Sequence, residues 1–424
     1  MEQRHIAANG IPVYSYSLPH LHSFCIGLYV KAGVLYEQPG QFGITHFLEH
    51  VLFRNLGGLS QRELYEKLEG MGASFNACTY KEFVYFYITA TARHFRECAG
   101  IITMLLQPLR ASKGDVAAER RRIQSEIREK DDLHSVERFA RQEIWKGTPL
   151  TNQIAGSVTG VSAIGLGDLA AEKERSFVAR NMFFYVSGSY TGGDLAALID
   201  AAGQYEVDGE RNGRGNMAPV PEGFGNRGGA VLFKGGSGYA DVLFSFDVEF
   251  SRYTLAETNL LYDLIFGGNL CRFNMQLSEN RGLIYDYDAY LEQYCNIGTL
   301  YVEFSVLQSR LCEALALTVG LFRSMRQQIT AGELTHFLPE YTDNCLMALD
   351  NPQRLNWDMA YNNHILMKGY TSVEDEPALY RQVTPERLME IAGEVFVPRN
   401  LVAAVKCKRS RGREEKVREI IDSL

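Results

Sequence analysis

Three residues whose types and spacing could do chemistry, His46, Glu49 and His50, stand in the run ITHFLEHVLF at residues 44–53. At 3.6 residues per turn these positions share one face of a helix, so two imidazoles and a carboxylate project together. The rest of the run is almost entirely apolar, which is typical of a buried helix. A buried carboxylate is costly unless it is paired, and the run contains no Lys or Arg. A bound divalent cation would compensate the charge.

The spacing HxxEH is the inverted-zincin signature, in which two His ligate zinc and the Glu between them is the general base. The alternative is a helix with two surface imidazoles, which the apolar flanks disfavour. A catalytic zinc usually takes three protein ligands, so a third ligand is required. The best candidate for the third ligand lies in the charged segment 116–130. This segment contains Glu119 and Glu126, which are seven residues apart and share a helical face. By itself, such a segment is more typical of a solvated helix with salt bridges.

The composition is that of a globular protein, because 46% of the 424 residues are hydrophobic and 22% are charged. A net charge of -8, without a basic stripe, argues against a nucleic-acid partner. The start of the chain lacks the continuous apolar run of a signal peptide, and the longest apolar run, residues 314–322, is about half the length of a membrane span. Eight cysteines without a CxxC pair favour reduced thiols. We therefore expect a cytoplasmic protein that does not enter a membrane.

The elements that must position these residues fall into two similar halves. A stretch rich in Gly, Pro, Asn and charge, residues 208–228, predicts a linker between a zinc-binding domain at 1–207 and a domain without a metal site at 229–424. In each half an alternating run follows a glycine, Gly72 or Gly282, and a helical pattern follows that run. We expect an α+β fold of two homologous domains, each an antiparallel sheet backed by helices.

Together these motifs resemble a known family. HFLEH, preceded by FGIT and followed by Glu126 within ERRRIQSEI, is similar to the pitrilysin and insulysin inverted-zincin peptidases, and most to their short two-domain branch related to mitochondrial processing peptidase. The resemblance covers most of residues 1–290. It implies that His46, His50 and Glu126 bind one zinc ion per chain and that Glu119 supports the site, while Glu49 serves as the catalytic base.

One departure from the family concerns its second domain, which normally carries an Arg seven residues before a Tyr that contacts substrate and the tetrahedral intermediate. Tyr285 stands at the Tyr position and is expected to donate a hydrogen bond to the oxyanion. Seven residues earlier lies Ser278, and Arg281 and Arg272 are the nearby alternatives. An intact metal motif beside this departure predicts a heterodimer with a homologous zinc-free subunit that supplies the missing pair. A homodimer is the alternative.

The resemblance also implies how substrate is held. An extended peptide would lie against the strand around Asn76 and Ala77, since strand addition satisfies main-chain groups without demanding one sequence. The expected function is that of a zinc metalloendopeptidase, which processes short or unfolded peptides in a chamber between the two halves. The rival functions are a noncatalytic peptide-binding or scaffold subunit of the same fold, and a protein with a purely structural zinc. The sequence leaves the substrate, the cleavage site and the pathway open.

Overall fold

The computed structural model describes residues 1–129, 136–207, 229–366 and 369–424. The chain divides into two units. The N-terminal unit comprises Met1–Asp131, Asn152–Met217 and Leu346–His364, and the C-terminal unit comprises Asp132–Thr151, Ala218–Cys345 and Ile365–Leu424. The predicted linker at 208–228 lies outside the described residues, and the predicted domain division stays a prediction.

The bounds of the regular elements follow in chain order. The strands are β1 (Gln3–Ile6), β2 (Pro12–Ser17), β3 (Ser23–Val30), β4 (Asn55–Leu56), β5 (Leu59–Ser60), β6 (Ser74–Thr79), β7 (Val84–Thr91), β8 (Met182–Gly188), β9 (Ala230–Gly235), β10 (Tyr239–Val248), β11 (Tyr287–Gln293), β12 (Gly298–Leu307) and β13 (Leu401–Cys407). The α-helices are α1 (Ile44–Leu52), α2 (Gln61–Met71), α3 (Phe95–Thr103), α4 (Lys113–Glu129), α5 (Val136–Ile144), α6 (Val158–Ala163), α7 (Leu166–Ser176), α8 (Gly192–Gly203), α9 (Leu255–Phe266), α10 (Leu311–Met325), α11 (Ala331–Leu349), α12 (Pro352–Ala360), α13 (Glu376–Arg381), α14 (Pro385–Val395) and α15 (Arg411–Asp422). Within the described ranges, no helix combines the length and the apolar character needed to cross a bilayer.

Each unit is built on one main sheet, and the two sheets share a topology. The strand order is β1-β2-β8-β3-β7-β6 in the N-terminal unit and β11-β12-β10-β13-β9 in the C-terminal unit. Read from β9 to β11, the C-terminal sheet contains the first, fifth, second, fourth and third of its strands, counted along the chain. The five strands from β2 to β6 of the N-terminal sheet follow the same order. The predicted fold, two α+β units with sheets backed by helices, is confirmed.

The sheets differ from the prediction in one respect, because each contains a parallel pair of strands. β2 pairs with β8 in parallel, and β9 pairs with β13 in parallel, whereas the other neighbours in these two sheets are antiparallel. A parallel pair requires a long crossover connection. In both units the connection runs through the other strands of the sheet and the helices between them.

The central strand β3 of the N-terminal unit is covered on both faces. Phe24, Ile26 and Leu28 are buried in the core that also contains apolar residues of α1 and α3. The residues between them, such as Cys25 and Tyr29, are equally buried but point to the opposite face, because side chains alternate along a strand. That second face is covered by α12, which packs against β3 and β8.

The helices α5 and α12 each belong to the unit that is formed mainly by the other half of the chain. Although α12 follows most of the C-terminal unit in sequence, it belongs to the N-terminal unit, whereas α5 follows the first strands in sequence but belongs to the C-terminal unit. There, α5 packs against β13, β10 and β9. Each sheet is therefore completed on its second face by a helix from the other half of the chain.

A single buried amide, Asn356, anchors α12 to the sheet. Its Nδ2 donates to the carbonyl oxygens of Tyr185 at 2.7 Å and Cys25 at 3.3 Å. Its Oδ1 accepts from the hydroxyls of Tyr29 at 3.0 Å and Tyr85 at 3.1 Å. The amide is fully buried and uses both its donor and its acceptor capacity, so these four hydrogen bonds offset the cost of burying it.

We predict that Asn356→Leu lowers the free energy of unfolding by about 2–4 kcal/mol, because it leaves two hydroxyls and two carbonyls without this partner. Urea unfolding followed by circular dichroism measures the change. The control is Lys67→Ala on the exposed side of α2, which should cost less than about 0.5 kcal/mol. Equal stability of the two variants would show that the amide network does not hold α12.

Candidate active site

The helix α1 is fixed by a carboxylate cap at its N-terminus. Glu37 accepts hydrogen bonds from the backbone N–H groups of Gly43 at 2.8 Å and Thr45 at 3.0 Å. These groups have no partner within the helix, and a negative charge at this end is favoured by the helix dipole. Gly43 itself has a φ of 94°, and a Cβ there would lie 2.6 Å from the carbonyl oxygen of Ala155. The cap and this close approach determine where α1 begins.

The metal-ligand candidates converge from two helices. His46 and His50 lie one turn apart on α1, and Glu126 reaches them from α4. The Oε2 atom of Glu126 lies 3.9 Å from Nε2 of His46 and 3.8 Å from Nε2 of His50. One ligand atom from each residue lies within 4.8 Å of the others. The structure thus brings together the three predicted ligands.

This donor set fits a zinc ion. Two imidazole nitrogens and a carboxylate oxygen are typical of catalytic zinc sites, which leave a fourth position open. With metal–ligand bonds of about 2.0–2.1 Å, tetrahedral ligand atoms lie roughly 3.4 Å apart. The observed separations between Glu126 and the two imidazoles exceed this by about half an ångström, so a small side-chain movement would complete the geometry.

Glu119 orients one of the imidazoles. Its Oε2 lies 2.9 Å from Nδ1 of His50, and its Oε1 accepts from Nε of Arg54 at 2.6 Å. Burial by itself would raise the pKa of Glu119, but the hydrogen bonds from His50 and Arg54 hold the pKa below its usual value. An ionised Glu119 favours the proton of His50 on Nδ1, which leaves Nε2 available to a metal.

Glu49 stands beside the ligands but is held by a different partner. Its Oε2 accepts a hydrogen bond from the hydroxyl of Thr79 at 2.6 Å. Burial is the main cause that raises the pKa of Glu49, and the carboxylate of Glu126 adds to the rise, although Thr79 and His50 oppose it. A carboxylate that lies beside the candidate ligands without belonging to them is placed to accept and return a proton.

The predicted substrate residues Asn76 and Ala77 lie on β6, which stands at one end of the strand order. Asn76 is exposed and donates to the hydroxyl of Ser74 at 2.7 Å, whereas Ala77 points to the other face and packs against the core. Thr79, the last residue of the strand, contacts Glu49. The strand therefore connects an accessible sheet edge to the candidate base.

The remaining predicted residue, Tyr285, belongs to the C-terminal unit, where its side chain is 99% exposed. Of the two alternative arginines, Arg272 is engaged with both carboxylate oxygens of Glu333, at 2.9 and 3.0 Å. Arg281 is 55% exposed and only loosely paired, 3.7 Å from Glu313. Arg281 is therefore the more available guanidinium of the two.

Three site residues were not predicted from the sequence. Arg54 lies four residues after His50, and this helical spacing could have indicated it. Thr79 follows the predicted substrate residues on the same strand, but its hydroxyl carries no recognisable motif. Glu37 acts on α1 from a loop, and no spacing signals a side-chain cap of that kind.

The sequence of the chain is similar to those of several known proteins. The family profile described as Insulinase (Peptidase family M16) matches residues 13–158. An uncharacterized zinc protease of Rickettsia bellii is 23% identical over 390 residues, which cover 90% of this chain and 89% of that protein. Mitochondrial-processing peptidase subunit beta of Lentinula edodes is 28% identical over 202 residues, which cover 46% of this chain and 42% of that protein.

Among solved structures, a peptidase M16 inactive domain of Pseudomonas fluorescens matches with a TM-score of 0.84 at 15% identity, covering 96% of this chain and 98% of that one. This likeness shows the fold alone. The family profile spans every predicted zinc-site residue, and the resemblance to the insulinase-type inverted-zincin peptidases is confirmed. The relatives further include a subunit of mitochondrial processing peptidase, as the short two-domain branch predicts.

We predict that Glu126→Ala abolishes stoichiometric zinc binding, because it removes the only carboxylate of the ligand set. Glu119→Gln should instead retain zinc with an affinity about 10–100-fold lower, since it disturbs only the orientation of His50. Competition with a chromogenic chelator measures both. Glu129→Ala, on the exposed face of the same helix, is the control and should bind as the unmodified chain does. A fully loaded Glu126→Ala variant would remove Glu126 from the ligand set.

Proposed function

We propose that the chain is a zinc-dependent metalloendopeptidase that hydrolyses short or unfolded peptides. The observation that carries the proposal is that the N-terminal unit contains both three candidate zinc ligands and a separate candidate base. His46, His50 and Glu126 form a three-ligand cluster, and Glu49 lies beside it with its own hydrogen-bond partner. A structural zinc ion usually has four protein ligands and requires no additional carboxylate beside it.

A zinc ion held by His46, His50 and Glu126 would supply a Lewis acid that polarises a peptide carbonyl and lowers the pKa of a water molecule. Glu49 accepts the proton of the attacking water and returns it to the departing amine. One carboxyl group can serve both transfers, because it is the base in the first step and the acid in the second. Thr79 keeps the carboxylate oriented during the exchange.

The edge of β6 is the proposed binding strand for the substrate. An extended peptide added there would satisfy main-chain groups and place its backbone beside Thr79, which already contacts Glu49. This mode favours chains without stable structure, because a folded segment cannot present a free strand. Enclosure of such a peptide by the two homologous units, in the cytoplasm, is part of the proposal.

A homologous zinc-free subunit is the proposed partner. Ser278 stands where the family has an Arg, and a hydroxyl offers neither the charge nor the planar donors of a guanidinium. The relative from Lentinula edodes is named as a subunit, which supports an assembly of related chains. The competing proposal is a noncatalytic peptide-binding or scaffold subunit, and the domain of this fold from Pseudomonas fluorescens is described as inactive.

We predict that Glu49→Gln retains zinc but reduces peptide hydrolysis by about 100-fold to 10,000-fold, because an amide can neither take nor return the proton. Zinc content and turnover of a quenched fluorescent peptide library are measured on the same preparation. Glu69→Gln, an exposed residue of α2, is the control and should retain both. Loss of zinc, or full activity in Glu49→Gln, would be incompatible with Glu49 as the base.

We also predict that the isolated chain binds zinc but turns peptides over slowly. A homologous partner that carries the Arg and Tyr pair should raise the rate by about a hundredfold, the usual effect of one oxyanion donor. Full activity of the isolated chain, with no gain from a partner, would contradict the heterodimer. If Arg281→Gln then abolished that activity, Arg281 would be the internal replacement. Zinc binding and peptide binding without turnover under any condition would favour the noncatalytic alternative.

A further inference from the structure

Arg54 lies just after the end of α1 and contacts three helices of the N-terminal unit. Its backbone N–H donates to the carbonyl oxygen of Val51 in α1 at 3.1 Å, and its carbonyl oxygen accepts from the N–H of Gln61 at the start of α2, also at 3.1 Å. Its side chain extends to Glu119 on α4. The guanidinium is therefore held by main-chain hydrogen bonds at its base and by an ion pair at its tip.

The ion pair between Arg54 and Glu119 is largely enclosed. Glu119 is 1% exposed, and the side chain of Arg54 is 27% exposed. Nε and a terminal nitrogen of Arg54 lie 2.6 and 2.5 Å from the same carboxylate oxygen, Oε1. A buried carboxylate that loses its cation is left with an uncompensated charge. Arg54 is therefore a required partner of Glu119 and not an incidental surface contact.

The two oxygens of Glu119 have different partners. Oε1 faces Arg54, whereas Oε2 lies 2.9 Å from Nδ1 of His50. Because a carboxylate is planar and rigid, holding one oxygen in place also sets the direction of the other. The partner of one ring nitrogen of a histidine determines which nitrogen is left for a metal. Arg54 thus acts on His50 through Glu119, without touching the imidazole.

The same contact joins the two helices that carry the candidate ligands. His50 belongs to α1, and Glu126 belongs to α4, seven residues after Glu119. The two helices pack against each other, and Arg54 ties the end of α1 to the middle of α4. Oε2 of Glu126 lies 3.8 Å from Nε2 of His50, a separation that a shift of one helix against the other would change. A binding site requires such support to keep its ligands in place before the metal arrives.

We propose that Arg54 is a positioning residue of the metal site, which holds Glu119 so that His50 presents Nε2 to the ion and α1 keeps its place beside α4. The inference rests on the proposed function, because it takes the cluster of His46, His50 and Glu126 to be a zinc site. Arg54 contacts neither the metal nor the substrate, and its whole effect passes through Glu119. This restriction makes the proposal testable by combining substitutions.

Zinc affinity is the first measurement, by competition with a chromogenic chelator. Arg54→Met keeps the apolar stem but removes the cation, and it should lower the affinity about 10–100-fold, the usual effect of losing an outer partner of a ligand. Arg54→Lys restores a cation beside Oε1 and should recover most of the affinity. Arg62→Met, which removes an exposed arginine paired with Glu66 on α2, is the matched control and should bind as the unmodified chain does. Unchanged affinity in Arg54→Met, or no recovery in Arg54→Lys, would overturn the proposal.

A double-mutant cycle tests the route through Glu119. In the background Glu119→Gln, the further change Arg54→Met should lower the zinc affinity no more, because the connection to His50 is already broken. Losses that simply add would mean that Arg54 acts by another route, which would contradict the proposal. Circular dichroism verifies that each variant is folded. Arg54→Gln, which keeps a hydrogen-bond donor without the charge, takes the place of Arg54→Met if the latter does not fold.

A measurement without metal separates this inference from the proposed function. Nitrogen NMR of the zinc-free, histidine-labelled chain in mildly alkaline buffer reports which ring nitrogen of His50 carries the proton, with His50→Gln to assign the signals. We expect the proton on Nδ1 in the unmodified chain and a mixture of both tautomers in Arg54→Met. Identical spectra of the two folded proteins would reduce Arg54 to a structural role and overturn the proposal. Failure of the unmodified chain to bind zinc would contradict the peptidase, whereas the spectra would still decide the role of Arg54.

Discussion

The constraint on which the site depends is the close approach of several carboxylates to the two imidazoles of α1. The helix α1 is mostly apolar but carries two imidazoles and the carboxylate of Glu49. The carboxylates of Glu119 and Glu126 approach the imidazoles from α4. The guanidinium of Arg54 compensates the carboxylate of Glu119. Carboxylates in a partly desolvated region repel one another unless a cation lies between them. The arrangement therefore suits the binding of a divalent ion. Arg54 neutralises Glu119, and Glu126 lies beside the two imidazoles that would hold the ion.

Local sequence patterns predict much of this arrangement. The apolar run with its two imidazoles indicated α1, and the alternating run after Gly72 corresponds to the strands β6 and β7. Glu126 could be selected because a third ligand is a chemical requirement and the family resemblance gave the spacing. These features depend on residues within one or two helical turns, or on a motif that fixes relative positions along the chain.

The features that sequence did not predict all depend on contacts distant in the chain. The exchange of α5 and α12 leaves no trace in periodicity, because an amphipathic helix shows that it covers a sheet but not which sheet. Asn356 is one asparagine in an ordinary helix until its four partners are known. The parallel strand pairs are likewise a property of the crossover and not of the strands themselves. Thr79 and Glu37 act through single hydrogen bonds, which no spacing rule encodes.

The exchanged helices have a consequence for how the protein is made. The aromatic and cysteine face of β3, with Tyr29 and Cys25, is covered only when α12 is present, and α12 lies beyond most of the second half in sequence. During synthesis the N-terminal sheet therefore leaves the ribosome with one apolar face open, and it cannot be completed until residue 360 has emerged. Such late, long-range closure slows folding and exposes apolar surface in the nascent chain. A zinc-binding half produced alone would contain the candidate ligands but would lack α12 on the second face of its sheet. The two halves of this polypeptide are therefore expected to complete their folding together.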